Sequence, residues 1–297
     1  MRHVATTMAM ILLPGAAAPA SERIITGDGI VTGAINGRAV RLRIEPGATA
    51  MPLIAADAAT RIGLKGGPFG IAYAVGPQRV RGRTAVARID SGRGADKRRI
   101  GWTQPGYTTA ADGVIGPSGL PDTVIRFVLG PSQPGERTVA LPMMRQGVVA
   151  ARWGETYGRV DVGGAPLRVR FDPHHPRSLA SAGAGVRIAA AQGGTLSGDT
   201  TRQEIAFGIE RPVRGMALAM PLAVGPLAIT RLGVRTADFG SAMAIPDADA
   251  DPDETVVSAG KTRDPGQDRL TIGADALARC SSIVFDKPAG VIRLSCL

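Results

Sequence analysis

Apolar and polar positions alternate through residues 34–46, so that Val40, Leu42 and Ile44 share one face of a strand while Arg41 and Arg43 share the other. The same alternation returns at residues 161–173 without a gap, 127 positions on, with Leu167, Val169 and Phe171 on one face. Gly37/Gly164, Arg41/Arg168, Arg43/Arg170 and Pro46/Pro173 are identical between the two copies. Each strand is preceded by a two-residue hairpin signal, Asn36-Gly37 or Gly163-Gly164, and ends on a carboxylate, Glu45 or Asp172. With one residue deleted, the match continues into Ala-rich segments, Leu53–Ile62 and Leu179–Ile188, each long enough for one short helix. Further on, Val114-Ile115-Gly116 before Leu120 corresponds to Thr271-Ile272-Gly273 before Leu277. The chain thus reads as two copies of one unit, expected at residues 21–150 and 151–297.

The order of these segments resembles that of bacterial pepsin-like and retropepsin-like aspartic peptidases. GAINGRAVRLRIEPGATAMPLIAADAATRIGL is similar to the family's active-site segment, DGVIGPSGL and DRLTIGADALARC to its apolar-apolar-Gly elements, and SIVFDKPAGVIRLSC to its closing hairpin. The resemblance implies a mostly β, bilobal pepsin-like fold of two pseudo-twofold-related lobes with a few short helices. One carboxylate from each lobe would face across a central cleft, placing Glu45 and Asp172 at the catalytic positions. In that family the two carboxyls share a proton and activate a water, a system that general treatments of coupled carboxylates use as their example.

The motifs depart from the family's Asp-Thr/Ser-Gly. Glu45-Pro46-Gly47 carries a longer acidic arm, and Asp172-Pro173-His174 ends on a bulky residue. Pro46 and Pro173 remove both the hydroxyls that tie the family's loops together and two backbone donors. The deletion between His174 and Ser178 leaves open which of His174 and His175 takes the glycine position. A protonated imidazole there would lower both carboxyl pKa values, and a neutral one could act as a base. Misplacement by about 1 Å can cost on the order of 100-fold in rate. These changes imply a catalytically degenerate, peptidase-like pseudoenzyme whose inter-lobe cleft binds a peptide or protein. The alternative is an acid endopeptidase working with the Glu45/Asp172 pair.

Composition narrows the class further. Gly 40 and Pro 22 among 297 residues favour many short elements joined by tight turns over a helical bundle. The formal net charge is +10, but the basic residues are scattered and no nucleic-acid-binding motif accompanies them; the charge alone supports weak attraction to anionic surfaces or polymers. No cofactor is expected. His174 and His175 with the two carboxylates are only a weak candidate set for a metal. Asp247-x-Asp249-x-Asp251 lacks the glycine and glutamate of a calcium loop, Gly116-Pro117-Ser118-Gly119 lacks the serine-hydrolase spacing, and Gly27-x-Gly29 lacks the third glycine of a dinucleotide site.

Residues 1–20 have the layout of a signal peptide: Arg2 and His3, an apolar run from Val4 to Leu13, and Ala18-Pro19-Ala20 as a cleavage site. The mature chain is therefore expected to be periplasmic or secreted, without an integral membrane segment. In an oxidising compartment Cys280 and Cys296 can pair, and a hairpin that sets Asp286 opposite Val291 brings them nearly opposite each other.

Overall fold

The computed structural model describes residues 21–145, 154–238, 240–249 and 265–297. The expected signal peptide and the expected boundary at residue 150 lie outside them. The strands, in chain order, are β1 (Glu22–Ile25), β2 (Ile30–Ile35), β3 (Arg38–Ile44), β4 (Leu53–Ala55), β5 (Gly70–Val75), β6 (Gln78–Asp90), β7 (Ala95–Thr103), β8 (Gly113–Ile115), β9 (Val124–Val128) and β10 (Arg137–Arg145). They continue as β11 (Thr156–Val162), β12 (Ala165–Phe171), β13 (Leu179–Ser181), β14 (Gly194–Ala206), β15 (Ile209–Val224), β16 (Leu227–Arg235), β17 (Arg269–Ile272), β18 (Cys280–Asp286) and β19 (Val291–Cys296). Among the described residues three short α-helices interrupt them: α1 (Ala56–Arg61), α2 (Ala182–Gln192) and α3 (Ala274–Leu277).

The repeat in the sequence is a repeat of topology. One sheet has the order β2-β3-β8-β4-β7-β6-β5, and within the other runs β11-β12-β17-β13-β16-β15-β14. The correspondence extends to register. Ile44 lies beside Ile115 as Phe171 lies beside Ile272, and Leu53 meets Val114 and Gly101 as Leu179 meets Thr271 and Gly233. Both hairpin turns have positive φ, at Asn36 (49°) and Gly37 (78°) and at Gly163 (57°) and Gly164 (76°), the conformation whose twist matches the flanking strands. The fold is thus mostly β and two-lobed, as expected, with the two carboxylate loops as mates.

Two Ala-rich segments differ from expectation at their starts. Leu53–Ala55 and Leu179–Ser181 are strands, because each enters the centre of its sheet between two neighbours and needs its backbone groups for them. Only then does the chain turn into α1 or α2. In the second copy Ser181 caps the helix by accepting from the Ala184 N–H, and Gly193 ends it in the left-handed region.

The remaining strands, β1, β9, β18, β19 and β10, join onto β11 and draw on both halves of the chain. Their core merges with that of the second lobe around Phe127, Phe285, Ile292 and Phe171. Asp286 opposes Val291 and Cys280 opposes Cys296, with a bulge between Cys280 and Ser282. The two cysteines form a disulfide that crosses this hairpin. Closing a loop of this length contributes about 3 kcal/mol in the chain-entropy description.

Candidate functional site

Glu45 and Asp172 line one cavity of about 240 Å³, together with Tyr107, Thr108, His174, His175 and the end of β14. Symmetric backbone bonds place the two loops. The Glu45 N–H donates to Ile115 O (3.1 Å) and the Asp172 N–H to Ile272 O (2.9 Å). The Ala48 N–H donates to Glu45 O and the His175 N–H to Asp172 O, both at 3.2 Å. The 127-residue match therefore runs through His175, and His174 takes the place of Gly47.

Equivalent positions do not give equivalent carboxylates. Asp172 Oδ1 accepts the N–H groups of His174 and His175, each at 3.2 Å, and Oδ2 accepts from Arg170 Nη2 at 2.9 Å. Glu45 receives no such backbone bonds among those of the described residues; its Oε1 lies 3.4 Å from Arg43 Nη1. The extra methylene carries its carboxyl past the turn that serves the shorter aspartate. Burial, and then the nearby Asp172, push the Glu45 pKa up to about 7, against the opposing pull of Arg170 and Arg43.

The sequence reading missed the cations. Arg43 and Arg170 each stand two residues before their carboxylate, on the same face of β3 and β12. Arg170 is buried and crosses to the opposite lobe, where a Cβ on Gly47 would meet its Nε at 2.2 Å. Its Nη2 donates to the Tyr107 hydroxyl at 2.7 Å, and its Nη1 lies 3.9 Å from Glu155, which also faces Arg269 at 3.7 Å. A guanidinium thus spans the lobe junction, between the Gly47 loop, Tyr107 and Asp172. The one available signal was the Arg43/Arg170 identity within the repeat.

The His175 ring is engaged by backbone carbonyls on both sides. His175 Nδ1 lies 2.6 Å from Arg177 O and its Nε2 3.1 Å from Glu204 O, so the ring bridges its own loop to β14. Burial and the neighbouring Arg43 lower the His174 pKa. Of the two roles the sequence left open for an imidazole here, a lowered His174 pKa favours the neutral ring, and Arg43 and Arg170 are the cations in the field of Glu45. Among the described residues, no group of three His, Cys, Asp or Glu side chains is arranged to hold a metal ion.

Two hairpins at equivalent places in the repeat, β5–β6 and β14–β15, meet beside the cavity. Phe207, at the β14–β15 turn, is 2% exposed and packs between Tyr73 of β5 and Tyr107, with ring centroids at 5.5 and 5.1 Å. It holds φ of 60°, an unfavourable conformation for an aromatic residue, and the surrounding rings, Val75 and Val80 retain it there. The β5–β6 turn presses on the second lobe in return: a Cβ on Gly76 would meet Asp238 Oδ1 at 2.2 Å. Asp238 is itself buried and paired with Arg211 at 2.6 Å. A larger cavity of about 550 Å³ opens on the second lobe, sharing Pro176 with the first.

The elevated Glu45 pKa has a measurable consequence. Between pH 4.5 and about 7 the folded protein binds a proton at Glu45 that the unfolded chain has released, so stability falls as pH rises through this window. Glu45→Gln removes the cost of ionising this carboxyl. In urea titrations the variant should match the parent near pH 4.5 and exceed it by up to about 3 kcal/mol at pH 8. A constant difference across that range would show that Glu45 does not titrate there.

No family model matches the sequence, and no curated protein matches it. Among solved structures the chain is similar to the crystal structure of an aspartic proteinase from Irpex lacteus. The identity is 12%, the alignment covers 90% of this chain and 93% of that one, and the TM-score is 0.43.

Proposed function

We propose that this is an exported, catalytically degenerate relative of the aspartic peptidases that binds a peptide or protein segment between its lobes. The observation that carries the proposal is the engagement of Asp172: one oxygen takes two backbone N–H groups and the other takes Arg170. A general base must have a free oxygen directed at the water it activates, and here both Asp172 oxygens already accept hydrogen bonds. Pro46 and Pro173 add to this, since neither loop keeps a hydroxyl to order the pair.

Space for a ligand is provided by the cavity at Tyr107 and Thr108 and by the adjoining one beyond Pro176. Export is supported by the layout of residues 1–20 and by the disulfide, and no helix among the described residues is long and apolar enough to cross a membrane. The competing reading, an acid endopeptidase, draws on one specific feature: a Glu45 carboxyl with a pKa near 7 can carry the proton that such a pair requires. No nucleic acid or cofactor enters either reading.

To test the proposal, a peptide pool is incubated with the protein, captured with it, and read by mass spectrometry. Peptides should be retained intact and be displaced by Thr108→Trp, which fills the cavity. Failure to retain any peptide would refute binding. Recovery of fragments cut at a common site, lost in Asp172→Ala, would favour the endopeptidase.

A further inference from the structure

Away from the cleft, β6 and β7 present a cationic face. Val86 lies opposite Arg99 and Arg88 opposite Lys97, so all four side chains project from the same side of the sheet. Like charges directly opposite each other weaken a strand pair. Neither Arg88 nor Lys97 has an ion-pair partner among the described residues. The nearest acid along β6 on this face is Asp90, whose Oδ1 accepts the Gly92 N–H.

Apolar groups are exposed among these cations. Val86 is 50% exposed, and Phe69, at the edge of the same face, is 63% exposed. The Arg99 guanidinium stacks over the Phe69 ring at 5.1 Å and donates to the Thr84 hydroxyl at 2.8 Å, which fixes both side chains in place. The chain as a whole adds a formal charge of +10.

We propose that this face is a docking surface for an anionic phospholipid bilayer. A sheet face that presents cations beside an exposed aromatic and an exposed aliphatic side chain matches the phosphate and acyl-boundary zones of such a surface. A soluble acidic polymer would engage Arg88, Lys97 and Arg99 but leave Phe69 and Val86 in water, so the apolar pair favours the bilayer. Each basic residue near an anionic surface contributes roughly fivefold in partitioning, so this cluster supports reversible, salt-sensitive attachment.

The test is co-sedimentation of the full chain with vesicles of phosphatidylcholine alone or with 30% phosphatidylglycerol, at low and high salt. Binding should require the anionic lipid and fall at high salt. Arg88→Glu with Lys97→Glu should reduce it at least tenfold, whereas Arg137→Glu with Arg279→Glu, the same change of net charge elsewhere, should leave it within twofold. Phe69→Ser should weaken it at constant charge. Thermal melts would establish that all variants are folded. The apolar segment Val4–Leu13 is common to every protein compared, so binding that does not respond to the Arg88/Lys97 change overturns the proposal. Equal losses in both charge-reversed proteins, or binding to polyglutamate but not to vesicles, would overturn it equally.

Discussion

Replacing Arg170 by alanine should destabilise the protein by about 3–5 kcal/mol at pH 8, the cost of leaving buried charge uncompensated. Arg170 faces Asp172, Glu155 and the Tyr107 hydroxyl, with Glu45 also in its field. Its removal strands several acceptors at once and opens the space over Gly47. The sign with pH follows from the same contacts. Without the guanidinium the pull that lowers the Glu45 pKa is lost, the folded state holds this proton more tightly relative to the unfolded one, and the deficit shrinks as pH falls. Arg170→Lys keeps the charge but not the two-pronged donor and should fall between the two. Urea titrations of the three proteins at pH 8 and pH 5 provide the check. If the alanine protein does not fold, the lysine protein still decides: parent-like stability there at both pH values would remove Arg170 from its central place.

Phe207→Ala should cost about 3 kcal/mol, the low end for a buried phenylalanine because some backbone strain is relieved. Its more specific effect is local. Phe207 joins the β14–β15 hairpin to Tyr73, Tyr107 and Val75 of the first lobe, so its loss should free both hairpins together. Hydrogen exchange should accelerate in residues 70–80 and 204–210, while β3 and β12 keep their protection. Unchanged protection over the first of these segments would mean that the hairpins are held by Gly76 against Asp238 rather than by the aromatic contact.

Much of the architecture could be read in the sequence because it is local or repeated. The alternation at Val40, Leu42 and Ile44 and its copy 127 residues on define equivalent strands, and equivalent strands require equivalent partners. The Cys280–Cys296 register follows from the length of one tight hairpin. Leu53–Ala55 was harder, since three apolar residues before an Ala-rich run have no period of their own and only their central place in the sheet makes them strand. Arg43 and Arg170 stood in the repeat as identities, yet the role of Arg170 depends on a crossing between lobes that no local pattern encodes. Phe207 was harder still. An aromatic residue at a positive-φ turn position runs against turn preferences, and its reason lies in Tyr73 and Tyr107, more than a hundred and one hundred residues away.

The arginine arrangement also explains why repair of one motif should not suffice. Introducing Asp-Thr-Gly at residues 45–47 shortens one arm and restores one hydroxyl, but Arg170 still occupies Asp172 Oδ2 and His174 still fills the position equivalent to Gly47.

The central claim is that the carboxylate pair does not cleave peptides, and peptide cleavage by the purified protein from pH 3 to pH 8, with Glu45→Ala and Asp172→Ala alongside, tests it most directly. The account predicts background hydrolysis at every pH, indistinguishable among the three proteins. Cleavage by the parent that peaks at acid pH and is lost in both variants would contradict it.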